Sequence, residues 1–174
     1  MSPEEEAEFA AYVAAGRDRV RRTAYLLCGD WHRADDLTQI AFVKLYGAWG
    51  RVRDRGALDA FVRTCLVRVT VDESRRPWRR ERSVEELPEP GGAAPLADLA
   101  CGVVDRELMR QALAVVPPGQ RAVLVLRYYE RLDVAATAAA MKCSEGNVKS
   151  QTARGLAALK SALAQLGTAT TGGE

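Results

Sequence analysis

The stretch 132-LDVAATAAAMKCSEGNVKSQTARGLAALK-160 decides the fold, because it reads as two short helices around a tight turn. On the first helix, Ala135, Ala138 and Ala139 form a small-residue face that lets another helix cross closely. Met141, Lys142 and Cys143 make the turn. Ser144 follows as an N-cap, since its hydroxyl accepts a free backbone N–H of the next first turn. Val148, Ala153, Leu156 and Leu159 fall on the inward face of the second helix, and Asn147, Lys149, Ser150, Gln151 and Arg154 point outward. A helix-turn-helix presents this order of side chains to the DNA major groove. An ordinary αα-hairpin with a solvated polar face has the same spacing, so the segment alone leaves both readings open.

Helical periodicity continues on the N-terminal side. Ser2-Pro3 followed by three glutamates is a helix start, with an N-cap, a first-turn proline and acids at the positive end of the dipole. Phe9, Tyr12, Val13, Val20, Ala24 and Leu27 recur at helical spacing, and Gly29-Asp30 stops the run. A second amphipathic helix is predicted over 34–49 and a third over 57–74, with a loop at 50–56 between them. The third tolerates β-branched Val67, Thr70 and Val71 because its length and period still favour helix. Further helices are predicted over 103–116 and 120–129, separated by Pro117-Pro118-Gly119. The stretch PEPGGAAP at 88–95 holds no regular structure, and GTATTGGE at the C-terminus reads as a disordered tail. No strand pattern occurs. The expected fold class is therefore all-α: two small helical domains, 3–80 and 103–166, joined by a flexible acidic linker at 81–102, the second containing the helix-turn-helix, with a tail at 167–174.

Bulk properties narrow the function. The 174 residues carry a net charge of only +2, so the distribution matters more than the sum. Arginines gather between Arg51 and Arg80, acids dominate from Glu81 to Asp105, and basic residues return near the C-terminus. That order suits two ends that meet phosphate and a middle with another task. The N-terminus MSPEEEAEF lacks the basic-then-apolar order of a signal peptide, and no apolar run is long enough to span a bilayer, so a cytoplasmic location without membrane insertion is expected. The four cysteines (Cys28, Cys65, Cys101, Cys143) are scattered and form no C-x-x-C pair, and His32 is the single histidine. Buried reduced thiols are expected and no metal site.

Three phrases now coincide in order: AYLLCGDWHRADDLTQIAFVKLYGAWGRV, then FVRTCLVRVTVDESRR, then VVPPGQRAVLVLRYYERLDVAATAAAMKCSEGNVKSQTARGLAALK. Together they resemble an extracytoplasmic-function (group IV) RNA polymerase sigma factor, most closely the small SigE-like group of actinobacteria, over about residues 9 to 165. The resemblance implies an alternative sigma factor that binds core RNA polymerase through the β′ clamp helices and the β flap, recognises −10 and −35 promoter elements, and melts DNA. It leaves open an anti-sigma partner, and implies no cofactor and no catalysis. No nucleophile–base pair, phosphate-binding glycine loop or metal cluster stands in the sequence.

Placed residue by residue, the resemblance gives Asp35, Asp36, Leu37, Gln39 and Phe42 to the helix that docks on the clamp. By spacing, Asp36, Gln39, Ile40 and Val43 form a mixed acidic–apolar stripe suited to a basic partner helix. The polymerase-binding set is thus Asp35, Asp36, Gln39, Ile40 and Val43. Ile40 stands where an acid is frequent, which makes the stripe more apolar. The −10 set implied is Arg51, Arg53, Arg55, Phe61, Arg68, Arg75 and Arg76, because single-stranded DNA needs phosphate neutralisation and a stacking surface. Trp49 is either a stacking surface or core. Arg68 stands where asparagine is frequent. The −35 set is Ser144, Glu145, Asn147, Lys149, Ser150, Gln151 and Arg154, with Lys149 and Ser150 best placed for base edges and Arg154 for phosphate. Arg121 and Arg127 either grip flanking backbone or are solvated. Two departures remain: Ala136 in place of a frequent glutamate, and Lys142 in place of the usual turn glycine. Two other classes share some of these features, a dimeric helix-turn-helix regulator of duplex operators and a degenerate sigma that titrates a partner.

Overall fold

A computed structural model describes residues 1–74 and 106–171. The chain divides into two compact units, Met1–Thr70 and Val71–Glu174. Seven α-helices and no strand occur among the described residues. The expected linker at 81–102 lies outside them, as do Arg75, Arg76, Cys101 and the start of the helix predicted from 103.

In the first unit, α1 spans Pro3–Cys28. Ser2 and Glu5 close a reciprocal capping box: the Glu5 N–H donates to Ser2 Oγ at 3.2 Å, and the Ser2 N–H donates to Glu5 Oε2 at 2.7 Å. Gly29 ends α1 at φ 75°, where its N–H donates to the Tyr25 carbonyl. This left-handed conformation is the one glycine adopts at no steric cost. Asp30 then caps α2 (Trp31–Ala48) by accepting from the Arg33 N–H at 2.8 Å, so α2 starts three residues before the predicted Ala34. Its buried residues, Ala34, Leu37, Thr38, Ala41, Phe42, Leu45 and Ala48, recur at three- and four-residue steps against α1, which buries Val20, Ala24 and Leu27. The predicted loop at 50–56 contains two short 3₁₀ turns, Trp49–Arg51 and Arg55–Ala57. Helix α3 (Leu58–Ser74) buries Leu58, Val62, Leu66 and Val67. Its threonines do not break it, because the hydroxyls of Thr64 and Thr70 donate back to the carbonyls of Ala60 and Leu66.

In the second unit, α4 (Arg106–Val115) and α5 (Pro118–Leu124) precede a π-helical turn, Val125–Tyr129. The run from Ala122 to Leu126 is buried throughout. After a loop come α6 (Val134–Met141) and α7 (Glu145–Thr171). Helix α7 overruns the expected tail. Gly167 costs a helix only about 1 kcal/mol, no proline follows it, and the Thr168 hydroxyl donates back to the Gln165 carbonyl. The segment 167–171 is therefore helical, not disordered.

Candidate nucleic-acid interface

The turn between α6 and α7 is built from backbone bonds. Asp133 caps α6 by accepting from the Ala136 N–H at 2.7 Å. Lys142 takes the left-handed conformation, φ 51° and ψ 50°, and its N–H points at the carbonyls of Ala138 and Ala139. The Cys143 N–H donates to the Ala138 carbonyl at 3.1 Å, which closes the helix end. Lysine thus occupies the strained position that the sequence identified as a glycine site. Ser144 Oγ accepts from the Asn147 N–H at 3.1 Å and caps α7 as expected.

Packing sets the phase of both helices. Val123, Ala138 and Val148 form a buried cluster, against which Val134, Met141 and Cys143 pack. The buried face of α6 is Thr137, Ala138 and Ala140, so Ala135 and Ala139, expected to face inward, are exposed. An alanine run carries no phase of its own; Val134 and Met141 at its ends decide it. Close approach occurs instead on α7, where a Cβ at buried Gly155 would lie 3.1 Å from Leu124 Cγ.

The outward face of α7 is open. Ser144, Glu145, Asn147, Lys149, Ser150 and Arg154 are exposed, and Gln151 is half-buried. Asn147, Ser150 and Arg154 share one face at steps of three and four, with Lys149 and Gln151 on its flanks. Neither Lys149 nor Arg154 enters an ion pair among the described residues. By contrast, Arg121 and Arg127 are tied to the fold. The Arg121 guanidinium donates to the carbonyls of Ala114 and Val116, each at 2.9 Å from Nη2, and closes the end of α4. Arg127 Nη1 donates to the Leu132 carbonyl at 2.9 Å and holds the loop before α6.

In the first unit the residues expected to bind polymerase lie on one side of α2. Asp35, Asp36 and Gln39 are exposed, Val43 is 65% exposed, and Ile40 is half-buried. Leu37 and Phe42 are core, so they anchor the helix and do not form its surface. Sequence reasoning missed the neighbours of Asp35. Arg21 of α1 donates to both Asp35 oxygens, and this pairing holds the carboxyl below its ordinary range. The same guanidinium lies 4.3 Å from the centroid of Trp31, which stacks on Tyr25 at 3.8 Å. The available signal was Trp31 itself, a bulky aromatic next to the N-cap and outside the apolar stripe.

The basic loop after α2 is held from several sides. Trp49 is 2% exposed and meets Phe9 edge-on at 5.1 Å, so it is core and not a stacking surface for DNA. Arg51 and Arg53 are exposed, and Phe61 and Arg68 are partly buried. Arg55 is exposed as well, but it pairs with Glu8 of α1 at 2.8 Å. Beyond the loop, Asp59 on α3 accepts from Tyr12 at 2.7 Å and from Arg19 at 2.6 Å. Arg19 holds the Asp59 carboxyl below its usual range, and burial pushes the Tyr12 hydroxyl well above its own.

Against known families, residues 12–80 match the model of sigma-70 region 2, and residues 106–159 match that of sigma-70 region 4. The chain is 37% identical over 157 residues to an RNA polymerase sigma-E factor of Streptomyces coelicolor, covering 90% of this chain and 86% of that one. It is also 37% identical over 164 residues to the sigma-E factor of Streptomyces avermitilis, covering 94% and 89%. An ECF RNA polymerase sigma factor SigE of Mycolicibacterium smegmatis is 31% identical over 85% of this chain and 58% of its own length. Among solved structures, the sigma factor RpoE from Bartonella quintana, determined with the anti-sigma factor NepR, superposes with a TM-score of 0.66. It covers 90% of this chain and 96% of its own, at 21% identity, a likeness of fold.

Proposed function

This chain belongs to the extracytoplasmic-function RNA polymerase sigma factors, in the SigE-like group, and we propose that its exposed surfaces divide the work of promoter-directed initiation as follows. Residues 3–80 bind core polymerase and the −10 element, 81–102 tether the halves, and 103–166 read the −35 element. The face Asp35, Asp36, Gln39, Ile40 and Val43 docks on the β′ clamp helices, and the second unit rests on the β flap. Arg51, Arg53, Phe61 and Arg68, with Arg75 and Arg76, meet the melted −10 strand. Ser144, Glu145, Asn147, Lys149, Ser150, Gln151 and Arg154 meet the −35 duplex. The chemistry of RNA synthesis belongs to the polymerase, and this chain contributes binding and DNA opening without a catalytic group. It acts in the cytoplasm, in line with the lack of any membrane-crossing helix among the described residues. The structural neighbour was determined with an anti-sigma factor, a class of partner that this reading leaves open for the present chain.

The observation that carries this reading is the face of α7. A capped helix presents Asn147, Lys149, Ser150 and Arg154 to solvent, with neither cation in an ion pair among the described residues, directly after a backbone-locked turn. A helix in the major groove reads base edges with its N-terminal residues and grips phosphate with its cations. The test is to map transcript starts after induction, then reconstitute transcription from those starts with purified core polymerase and the full chain. Discrete new starts that depend on the protein are expected. A stable dimer that binds palindromic duplex without polymerase would overturn the reading.

A further inference from the structure

The loop after α2 carries Arg51, Arg53 and Arg55, and the structure separates their tasks. Among the described residues, Arg53 enters no ion pair and Arg51 reaches only the Gly47 carbonyl, at 3.2 Å. Arg55 is held twice. Its Nη2 donates to Glu8 Oε2 at 2.8 Å, and its Cζ lies 4.2 Å from the Trp49 ring centroid. Glu8 belongs to α1, 47 residues away in sequence, and Trp49 is fixed in the core against Phe9. The loop backbone is shaped for this pose. Asp54 Oδ1 accepts from the Gly56 N–H at 2.8 Å, and the Asp54 carbonyl accepts from the Ala57 N–H at 3.0 Å. A Cβ on Gly56 would come within 3.0 Å of the same Asp54 oxygen.

We infer that Arg55 is a positioning residue and not a DNA contact: a Glu8–Arg55–Trp49 latch sets the loop pose in which Arg51 and Arg53 meet single-stranded −10 DNA. The inference rests on the reading of this loop as the −10 element's receptor. An exposed ion pair alone contributes little, because water screens it. A cation over an aromatic face adds a second attraction on the same guanidinium. The two together favour the latched loop by about five- to tenfold, enough to bias the loop and not enough to lock it. Phosphate cannot replace this arrangement cheaply, because it would compete with Glu8 for the guanidinium and be repelled by the same carboxylate.

The test uses holoenzyme made from the full chain and core polymerase on the strongest promoter found by start mapping. Glu8→Gln removes the acid without touching a cation, and the two roles give it opposite signs. For a latch, Glu8→Gln removes the ion pair alone and slows open-complex formation about two- to threefold, read by permanganate reactivity of unpaired thymines. Arg55→Gln removes both contacts and slows it about five- to tenfold, the double variant slows it no further than Arg55→Gln, and Arg55→Lys restores most of the rate. Closed-complex affinity and its salt dependence stay at the wild-type values throughout. If Arg55 grips phosphate, Glu8→Gln leaves opening unchanged or speeds it, and Arg55→Gln lowers the salt slope by about one; that result overturns the inference. The receptor reading fails differently. Opening would then be insensitive to Arg51→Gln and Arg53→Gln, while amide exchange over 52–57 still rises in Glu8→Gln. That outcome removes the positioning role and leaves the latch.

Discussion

Two tight turns lead into the surfaces proposed to meet DNA, and their ties to the rest of the fold differ. The turn at 142–144 is closed by main-chain bonds from Lys142 and Cys143 and backed by the apolar cluster of Val123, Ala138 and Val148. The loop at 52–57 has main-chain bonds within itself and to the end of α2, from Ala57 to Asp54 and from Val52 to Ala48, but its tie to α1 is made by side chains: Arg55 lies between Glu8 and Trp49. Main-chain bonds over a dry core are insensitive to salt, whereas exposed ion pairs weaken as the Debye length shrinks. A rigid turn suits a surface that meets duplex of fixed shape. A biased loop suits a strand that must first leave its partner. The contrast also shows that an arginine count does not measure phosphate-binding capacity. Arg19, Arg21, Arg55, Arg121 and Arg127 are all committed within the protein, while Arg53 and Arg154 enter no ion pair among the described residues.

The strongest way to break the comparison is to remove the platform under the loop. Trp49→Ala deletes a side chain that is 2% exposed and packed on Phe9 and Tyr12. Its expected cost is about 3–5 kcal/mol of stability, read by urea unfolding of the full chain. Lys149→Ala, on the open face of α7, should leave stability within about 0.5 kcal/mol. Its effect falls on DNA instead. If Lys149 reads a base edge, its loss weakens −35 binding by about 1–3 kcal/mol, and by different amounts on different sequences. Arg154→Ala should weaken every sequence alike and reduce the salt slope by about one. Equal, sequence-blind losses in titrations at several salt concentrations would reject the assignment of Lys149.

How far these features can be read from sequence depends on the range of the interaction behind them. The helix ends at Ser2, Gly29 and Ser144 are local: each involves a cap and a backbone group within four residues, and each was legible, whereas Asp30 reads as a stop and its role as the cap of α2 was missed. The stripe of α2 was legible because its core period is unbroken from Ala34 to Ala48. The partners of the arginines were not. Glu8 and Arg55 stand 47 residues apart, Arg19 and Asp59 stand 40 apart, and no local pattern announces either pair. The alanine run of α6 failed for a different reason. Residues of one size have no preferred face, so spacing alone places Ala135 and Ala139 inward, whereas the packing of Val134 and Met141 turns them to solvent. Trp49 was ambiguous because an aromatic beside arginines suits both a core and a stacking surface, and only its contacts with Phe9 and Tyr12 decide.

Smaller effects sharpen the other side of the comparison, the backbone-locked turn. Lys142 sits at φ 51°, where its Cβ crowds the following carbonyl. Lys142→Gly relieves that strain but adds freedom to the unfolded chain, and the two partly cancel. The expected result is a gain of about 0.5–1 kcal/mol in thermal unfolding. A loss would mean that the Lys142 side chain supports the turn in a way its exposed position does not suggest.

The smallest expected change comes from the other departure, Ala136. Asp133 already accepts from the Ala136 N–H at 2.7 Å, so half of a reciprocal capping box is present at the start of α6. The missing half is a side chain at position 136 that accepts from the N–H of residue 133. Ser2 and Glu5 complete that same exchange at the start of α1. Position 136 is exposed, so Ala136→Glu meets no packing cost, and a carboxylate there also lies near the positive end of the helix dipole. Glutamate forms helix slightly less well than alanine, which offsets part of the gain. A net stabilisation of about 0.5 kcal/mol is expected, with slower amide exchange at residues 133–136. If exchange at those positions is unchanged while −35 affinity falls, the new charge is meeting phosphate. Ala136 would then belong to the DNA-facing surface and not to the scaffold behind it.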